Sequence, residues 1–145
     1  MILLLDKMAD VFSKEKRSEV MSKVRGRDTK PEILVRKFLF AEGFRFRICP
    51  SNLLGKPDIV LPKYKTIIFV NGCFWHGHQN CKDSTTPKSR TDYWLNKIHK
   101  NKSRDNKIDY ELKKLGWRTI TIWTCELKSN KQGRLNELVN EIRKI

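Results

Sequence analysis

The chain has 145 residues, of which 39% are hydrophobic and 32% charged, so its composition excludes a disordered chain and favours one globular domain. It carries 31 Lys and Arg against 16 Asp and Glu, a formal net charge of +15, which favours a polyanion such as nucleic acid as partner over a merely solvated basic surface. The apolar residues 2–5 are too few to span a membrane and lack the features of a secretory signal. We therefore expect a cytoplasmic protein with reduced thiols and no membrane partner.

The N-terminal part of the chain is polar. Residues 1–7 are interpreted as an extension ahead of a natural start at Met8, and residues 8–145 as a single domain. Residues 13–29 contain few apolar side chains, which predicts a weak helix or an arm.

The first clear helix is predicted over residues 29–43. Thr29 is a candidate N-cap, Pro31 suits the first turn, and Gly43 ends the helix. The expected apolar face consists of Ile33, Leu34, Phe38 and Ala41.

Three strands are expected next. Residues 44–48 alternate apolar and basic side chains, as a half-buried strand does, and a turn at 53–57 precedes a short apolar strand. Residues 65–70 form a nearly continuous β-branched run, which is typical of a central strand.

The C-terminal half is predicted to contain a long helix, a buried strand and an amphipathic helix, at residues 91–116, 117–123 and 134–145. The full order of elements predicts an α/β fold with a mixed sheet flanked by helices. Restriction-endonuclease-like folds have the same core order, although order alone is weak evidence for function.

Asp58 stands at the head of an apolar strand. A carboxylate there is costly unless it is paired, exposed or bound to a metal, and Mg²⁺ prefers oxygen ligands. A nuclease needs such a cation, but taken alone the Pro-Asp pair is more simply interpreted as the end of a turn. The adjacent strand ends in Val70 and Asn71, where many such nucleases have a second acidic ligand. Either the Val70 carbonyl is the second ligand, or the site is degenerate.

Glu32 has two interpretations. Three residues after Thr29, it fits the glutamate position of a capping box. It can also reach the Asp58 centre from the first helix, and the sequence does not choose between these roles.

Cysteine and histidine cluster in the loop 72–81. Cys73, His78 and Cys81 have a spacing that fits one tetrahedral ion, and Cys125 can supply the fourth ligand from the last strand. A site of three cysteines and one histidine is a closed, structural zinc site. Buried cysteines without metal are the alternative.

His76 is the second histidine of this loop. If His78 binds the metal, His76 is free to act as a general base, although spacing alone does not say which of the two is the ligand. Cys49 has no partner in this arrangement and is interpreted as an ordinary thiol.

Aromatic and basic residues near the loop indicate contact with DNA. Phe74 and Trp75 lie between the metal ligands, so we expect them at an exposed tip, where apolar side chains can enter and kink a base stack. Trp94 is either a third wedge or a core residue. Phosphate contacts are expected from one face of the long helix, at Lys97, Lys100, Asn101 and Arg104.

These motifs resemble the very short patch repair (Vsr) DNA mismatch endonucleases. The resemblance is carried by residues 8–32, 53–78, 90–105 and 115–127. It implies a Mg²⁺-dependent, restriction-endonuclease-like enzyme that nicks one strand 5′ to the thymine of a T·G mismatch. Such mismatches arise when 5-methylcytosine deaminates, and the nick initiates very short patch repair.

The resemblance also implies roles for individual residues. Asp58 and the Val70 carbonyl would hold Mg²⁺, His76 would be the catalytic histidine, and Glu32 would assist. It implies a structural zinc held by Cys73, His78, Cys81 and Cys125. It implies DNA contact by the arm 8–28, including Met21, and intercalation by Phe74, Trp75 and Trp94.

Two departures from the family pattern accompany the resemblance. Val70 and Asn71 stand where the family usually has Thr-His, and Asn71 cannot take a proton as histidine does. One additional residue separates His78 from Cys81.

A bacterial, nucleoid-associated monomer is expected, because a single-strand nick needs one active site, and mismatch-repair proteins are candidate partners. Two alternatives stay open: a sequence-specific restriction or nicking enzyme of the same fold, and a zinc-stabilised DNA-binding protein without activity.

Overall fold

The computed structural model describes residues 29–48, 50, 53–85 and 87–144. The expected extension 1–7, the arm 8–28 with Met21, and Cys49 lie outside the described residues. Within the described ranges, no helix combines the length and the apolar character that crossing a membrane requires.

A mixed sheet forms the centre of the molecule. Its strands are β1 (Ile59–Leu61), β2 (Thr66–Asn71) and β3 (Arg118–Trp123), in the order β1-β2-β3. β1 pairs antiparallel with β2, and β2 pairs parallel with β3. The predicted mixed sheet and its central strand are therefore confirmed.

The strand expected at residues 44–48 is wrong. Only Arg47 pairs with the sheet, through two backbone hydrogen bonds to Val60 of 2.8 and 2.9 Å. In this antiparallel register the next hydrogen-bonded pair would join residue 45 to Pro62, and proline has no N–H to donate. The segment therefore makes an isolated bridge, and the described sheet has three strands.

The described residues form four α-helices around the sheet: α1 (Lys30–Ala41), α2 (Thr91–Lys114), α3 (Thr124–Ser129) and α4 (Lys131–Arg143). The helix α3 was not expected from the sequence, and α4 begins three residues before the predicted start at Arg134. α3 begins directly where β3 ends, and the side chain of Glu126 accepts a 2.8 Å hydrogen bond from the Trp123 N–H at its start.

The face that α1 buries differs from the expected one. Ala41 is exposed, and Leu34 and Phe38 are only partly buried. The buried positions are Glu32, Val35 and Leu39. Apolar residues lie on most sides of this helix, so its sequence contains two apolar faces with helical spacing. Packing against the sheet buries the face with Val35 and Leu39, not the predicted one.

The sheet is covered on both faces. Ile68, Val70 and Ile122 pack with α1 and α4 in one core, whereas Ile67 packs with Leu112 of α2 in the other. Alternate residues of β2 thus serve opposite layers, as the pleat requires. The arrangement brings the end of β2, the start of α1 and the middle of α2 to one side of the molecule.

Candidate active site and metal-ligand cluster

A cleft of about 1150 Å³ opens beside the end of β2. It is lined by side chains from several separate elements, so it exists only in the folded chain. Among them are the five residues predicted for the catalytic centre: Glu32, Asp58, Val70, Asn71 and His76.

Asp58 is held by the backbone of β2. Its Oδ2 accepts a 2.7 Å hydrogen bond from the Val70 N–H. Extending the register of Ile59 opposite Ile68 places Pro57 opposite Val70. Proline has no N–H, so it cannot donate to the Val70 carbonyl, which points to the same side of the strand as the Val70 N–H. The Asp58 carboxylate and the Val70 carbonyl, which receives no hydrogen bond from Pro57, therefore lie on the same side of β2.

Burial raises the pKa of Asp58 to about 7, against an ordinary value of 3.8. This net value includes a smaller rise caused by Glu32 and the lowering effects of the Val70 hydrogen bond and of the charges of Arg36 and His76. A buried carboxyl group with a raised pKa is a common feature of functional sites, because a cation or a proton must balance its charge.

Glu32 belongs to this centre. It is 3% exposed, accepts a 3.2 Å hydrogen bond from Arg36, and lines the cleft with Asp58. Thr29 makes no side-chain cap hydrogen bond. Thr29 is the N-cap residue of α1, as predicted, but its side chain does not make the hydrogen bond that a capping box requires. Glu32 lines the cleft, as its second interpretation expects.

His76 is oriented by a carboxylate of α2. Its Nδ1 lies 2.5 Å from Oδ2 of Asp105. When Nδ1 carries the proton and donates to this carboxylate, Nε2 is the unprotonated nitrogen, which is the form that a general base needs. Asp105 was not identified from the sequence; the signal that could have found it is an acidic residue within an otherwise basic stretch of helix, "KNKSRD".

The four residues Cys73, His78, Cys81 and Cys125 come together in one cluster. Their candidate ligand atoms all lie within 4.8 Å of one another. Around a zinc ion, tetrahedral ligands about 2.3 Å from the metal lie roughly 3.8 Å apart, so the set fits one ion with little movement. The structure places His78 in this cluster and His76 with Asp105, which separates the two histidines that spacing could not distinguish.

The cluster ties the loop 72–81 to the end of β3. The His78 ring stacks on Trp123 with 4.0 Å between centroids, and its Nδ1 lies 3.5 Å from Sγ of Cys125. Burial, together with the neighbouring Cys73 and Cys81, raises the pKa of the Cys125 thiol to about 12. Without a cation the Cys125 thiol stays protonated; a bound metal would stabilise its thiolate.

Phe74 is not at an exposed tip. It is 1% exposed, and its ring contacts those of Trp75 and Trp94 at centroid distances of 5.4 and 5.3 Å. The expectation of exposure is wrong because residues 73–77 form a tight turn against α2, which directs Phe74 inward. Trp94 is 8% exposed, in agreement with the core interpretation, whereas Trp75 is half-buried.

The expected basic face of α2 borders a second, smaller cleft of about 620 Å³. Lys97, Asn101 and Arg104 line it together with Trp75. Asn101 donates a 2.9 Å hydrogen bond to the Trp75 carbonyl, and the Lys97 ammonium lies 5.7 Å from the Trp75 ring centroid. Asn101 therefore also fixes the loop to the helix, a role that the sequence did not indicate.

Comparisons with known proteins identify the family of this chain. The family model "DNA mismatch endonuclease Vsr" matches residues 9–83. A type II nicking enzyme of Neisseria meningitidis, V.NmeAIP, is 54% identical over 94% of this chain and 98% of its own length. The DNA mismatch endonuclease Vsr of Escherichia coli K12 is 40% identical over 86% of this chain and 80% of its own.

A third relative, the type II nicking enzyme V.XorIIP of Xanthomonas oryzae, is 46% identical over 83% of this chain and 88% of its own. These relatives define the class as DNA endonucleases. The chain belongs to the Vsr DNA mismatch endonuclease family.

Proposed function

We propose that this protein is a mismatch endonuclease that nicks one DNA strand 5′ to the thymine of a T·G pair formed by deamination of 5-methylcytosine, initiating very short patch repair. The observation that carries the proposal is that Asp58 and the His76–Asp105 pair line one cleft in a chain of the Vsr family. The mixed sheet with helices on both faces is also what a restriction-endonuclease-like fold requires.

The chemistry of the chain follows from these contacts. Asp105 holds the His76 imidazole so that Nε2 is free to take a proton from the attacking water. Glu32 adds negative charge next to Asp58, which strengthens the site for a cation. Asn71, at the end of β2, lines the same cleft and can orient water or phosphate by hydrogen bonding, but it cannot exchange a proton.

Mg²⁺ is the proposed cofactor of the Asp58 centre. The donor set, a carboxylate and the Val70 carbonyl opposite Pro57, consists of the oxygen ligands that Mg²⁺ prefers. When bound, the ion would supply positive charge against the phosphate.

Zinc is the proposed ion of the cluster formed by Cys73, His78, Cys81 and Cys125. Four protein ligands leave no open coordination position, so its proposed role is structural. The role of the cluster would be to hold the loop that carries His76 and Trp75.

DNA contact is proposed for two groups of residues. The basic and amide side chains of α2 would bind phosphates, and the aromatic cluster would test how readily a base pair opens. Because Phe74 and Trp94 are buried, they would have to rearrange to intercalate, so in this conformation only Trp75 is available at the surface. Met21 and the arm 8–28 are proposed to contact the same duplex, and mismatch-repair proteins stay candidate partners.

A nicking assay with matched variants tests the proposal. A duplex with one T·G pair should receive a single nick 5′ to the thymine when Mg²⁺ is present, and a fully paired duplex none. Asp58→Asn should abolish the nick. Asp109→Asn is the matched control, because Asp109 lines the same cleft but is occupied by Thr119 and Lys113. Full activity of Asp58→Asn would overturn the proposed site.

A second candidate function is favoured by the names of the relatives. Two relatives at 54% and 46% identity are called type II nicking enzymes, which suggests nicking of a particular sequence. The same assay distinguishes the two functions, because a sequence-specific nicking enzyme would cut the fully paired site as well as the mismatch.

A further inference from the structure

The loop 53–57 forms one rim of the larger cleft and is fixed in place. Gly55 has φ +83° and lies against α2, where an added Cβ would be only 2.5 Å from Cγ2 of Ile108. Neither its backbone conformation nor the available space admits another residue. The buried Pro57 closes the loop directly before Asp58.

Lys56, between these two residues, has an unusual backbone. Its φ is +47°, in the left-handed region that non-glycine residues rarely adopt. Two other basic residues with positive φ, Lys65 and Arg90, place their charges over the rings of Trp117 and Tyr93, at 4.3 Å in each case. Within the described part of the chain, the Lys56 ammonium has no such ring and no ion-pair partner. The strained backbone of Lys56 therefore exposes an ammonium group that has no such partner among the described residues.

The position of this charge indicates its ligand. Lys56 is exposed and lines the same cleft as Asp58, two residues further along the chain. Two residues span at most about 7 Å. The Lys56 ammonium can therefore reach a DNA phosphate placed at Asp58, or the phosphate next to it on the same strand. Lys102, Arg104 and Lys107 of α2 line the same cleft and add further cations, which makes the cleft suited to a polyanion.

We propose that Lys56 binds a backbone phosphate of the DNA strand that is cut and positions that strand over Asp58. The inference rests on the proposed function, because it takes DNA as the ligand of this cleft. It assigns a cation to the rim loop, since β2 itself contains no basic residue. A lysine suits this role, since a compact ammonium binds phosphate as a point charge without reading the base sequence.

DNA binding, measured by fluorescence anisotropy without added divalent ion, tests this proposal separately from cleavage. Lys56→Asn removes the charge but keeps a residue that tolerates the left-handed conformation. At 150 mM salt it should weaken binding roughly fivefold and reduce the slope of log K against log salt by about 0.9, the loss of one phosphate contact. The slope should change equally for mismatched and matched duplexes.

Two further variants make the result specific. Lys56→Arg keeps the charge and should bind nearly as the parent protein does. Lys63→Asn removes an exposed lysine that lines neither cleft and should leave the slope unchanged. An unchanged slope for Lys56→Asn, or equal weakening by Lys56→Arg, would overturn the proposal. A protein that binds in this way but never nicks would instead overturn the proposed function alone.

Discussion

The imidazole of His76 and the carboxylate of Asp105 are joined by a 2.5 Å contact between Nδ1 and Oδ2. His76 comes from the loop after β2, and Asp105 from the second half of α2, 29 residues further along the chain. The contact determines which nitrogen of the histidine faces the cleft, so the acid–base function that we propose for His76 depends on a residue of the helix.

Asp105→Asn should lower the single-turnover nicking rate. The asparagine amide can donate to Nδ1, which shifts the histidine proton to Nε2 and removes the base. General acid–base catalysis contributes about 10²- to 10⁴-fold, and we expect a loss in this range. DNA affinity should change little. A nicking rate equal to that of Asp109→Asn would show that the His76–Asp105 contact has no catalytic role.

The raised pKa of Asp58 predicts how stability depends on pH. Between the ordinary value of 3.8 and the raised value of about 7, the folded protein keeps a proton that the unfolded chain loses. Stability therefore falls as pH rises through this window and is not affected further above it. Asp58→Asn removes this term while its carbonyl can still accept from Val70. Without divalent ions, the melting temperature of the variant minus that of the parent should rise from pH 5 to 7 and then level off. A difference in melting temperature that does not change with pH would contradict the raised pKa of Asp58.

The Cys/His cluster predicts one tightly bound metal per chain. Cys125→Ser should remove it and lower the melting temperature, because the binding free energy of a structural metal contributes to folding. Cys49→Ser is the matched control, since the cluster already has four candidate ligands without Cys49. Metal content and thermal melting measured on the same samples check both statements. Retention of a full equivalent of metal by Cys125→Ser would exclude the four-ligand site.

Alanine substitutions of Phe74 and Trp75 should have different effects, the first mainly on stability and the second mainly on DNA binding. Phe74→Ala empties a fully buried position and should cost about 3–5 kcal/mol of unfolding free energy. Trp75 is only half-buried, so Trp75→Ala should cost clearly less and should mainly weaken binding to mismatched DNA. Urea unfolding and anisotropy on both variants give the comparison. If Phe74→Ala is as stable as Trp75→Ala, the ring is not part of the packed cluster.

The elements with a strong local pattern were predictable from the sequence. β2 and β3 are β-branched runs with few interruptions, and α2 was predicted within two residues at each end. Each pattern is repeated over six or more residues, so one conflicting position does not change the interpretation.

Other features depend on a partner that the local sequence does not show. The pattern of residues 44–48 is typical of a strand, but pairing also needs a donor from β1, which Pro62 does not provide. Similarly, Phe74 appeared to be an exposed residue between metal ligands until packing against Trp94 placed it inside.

The residues of the candidate site also differ in whether the local sequence identifies them. Asp58 and the Cys/His cluster were recognisable because carboxylates and thiols are uncommon in apolar or tightly spaced surroundings. Asp105 and Lys56 were missed, because one is an ordinary helical acid and the other an ordinary loop lysine in the sequence. Their distinction comes from the folded backbone, through the contact with His76 and the positive φ.

The hydrogen bond from Asn101 to the Trp75 carbonyl has a consequence for protein engineering. It couples α2 to the segment that bears His76, the proposed catalytic histidine, so the helix and the loop cannot be exchanged independently. A chimaera that takes α2 from a relative to alter site preference has to take residues 72–81 from the same parent. Otherwise the contact between the grafted helix and the host loop is not preserved, and the orientation of His76 changes.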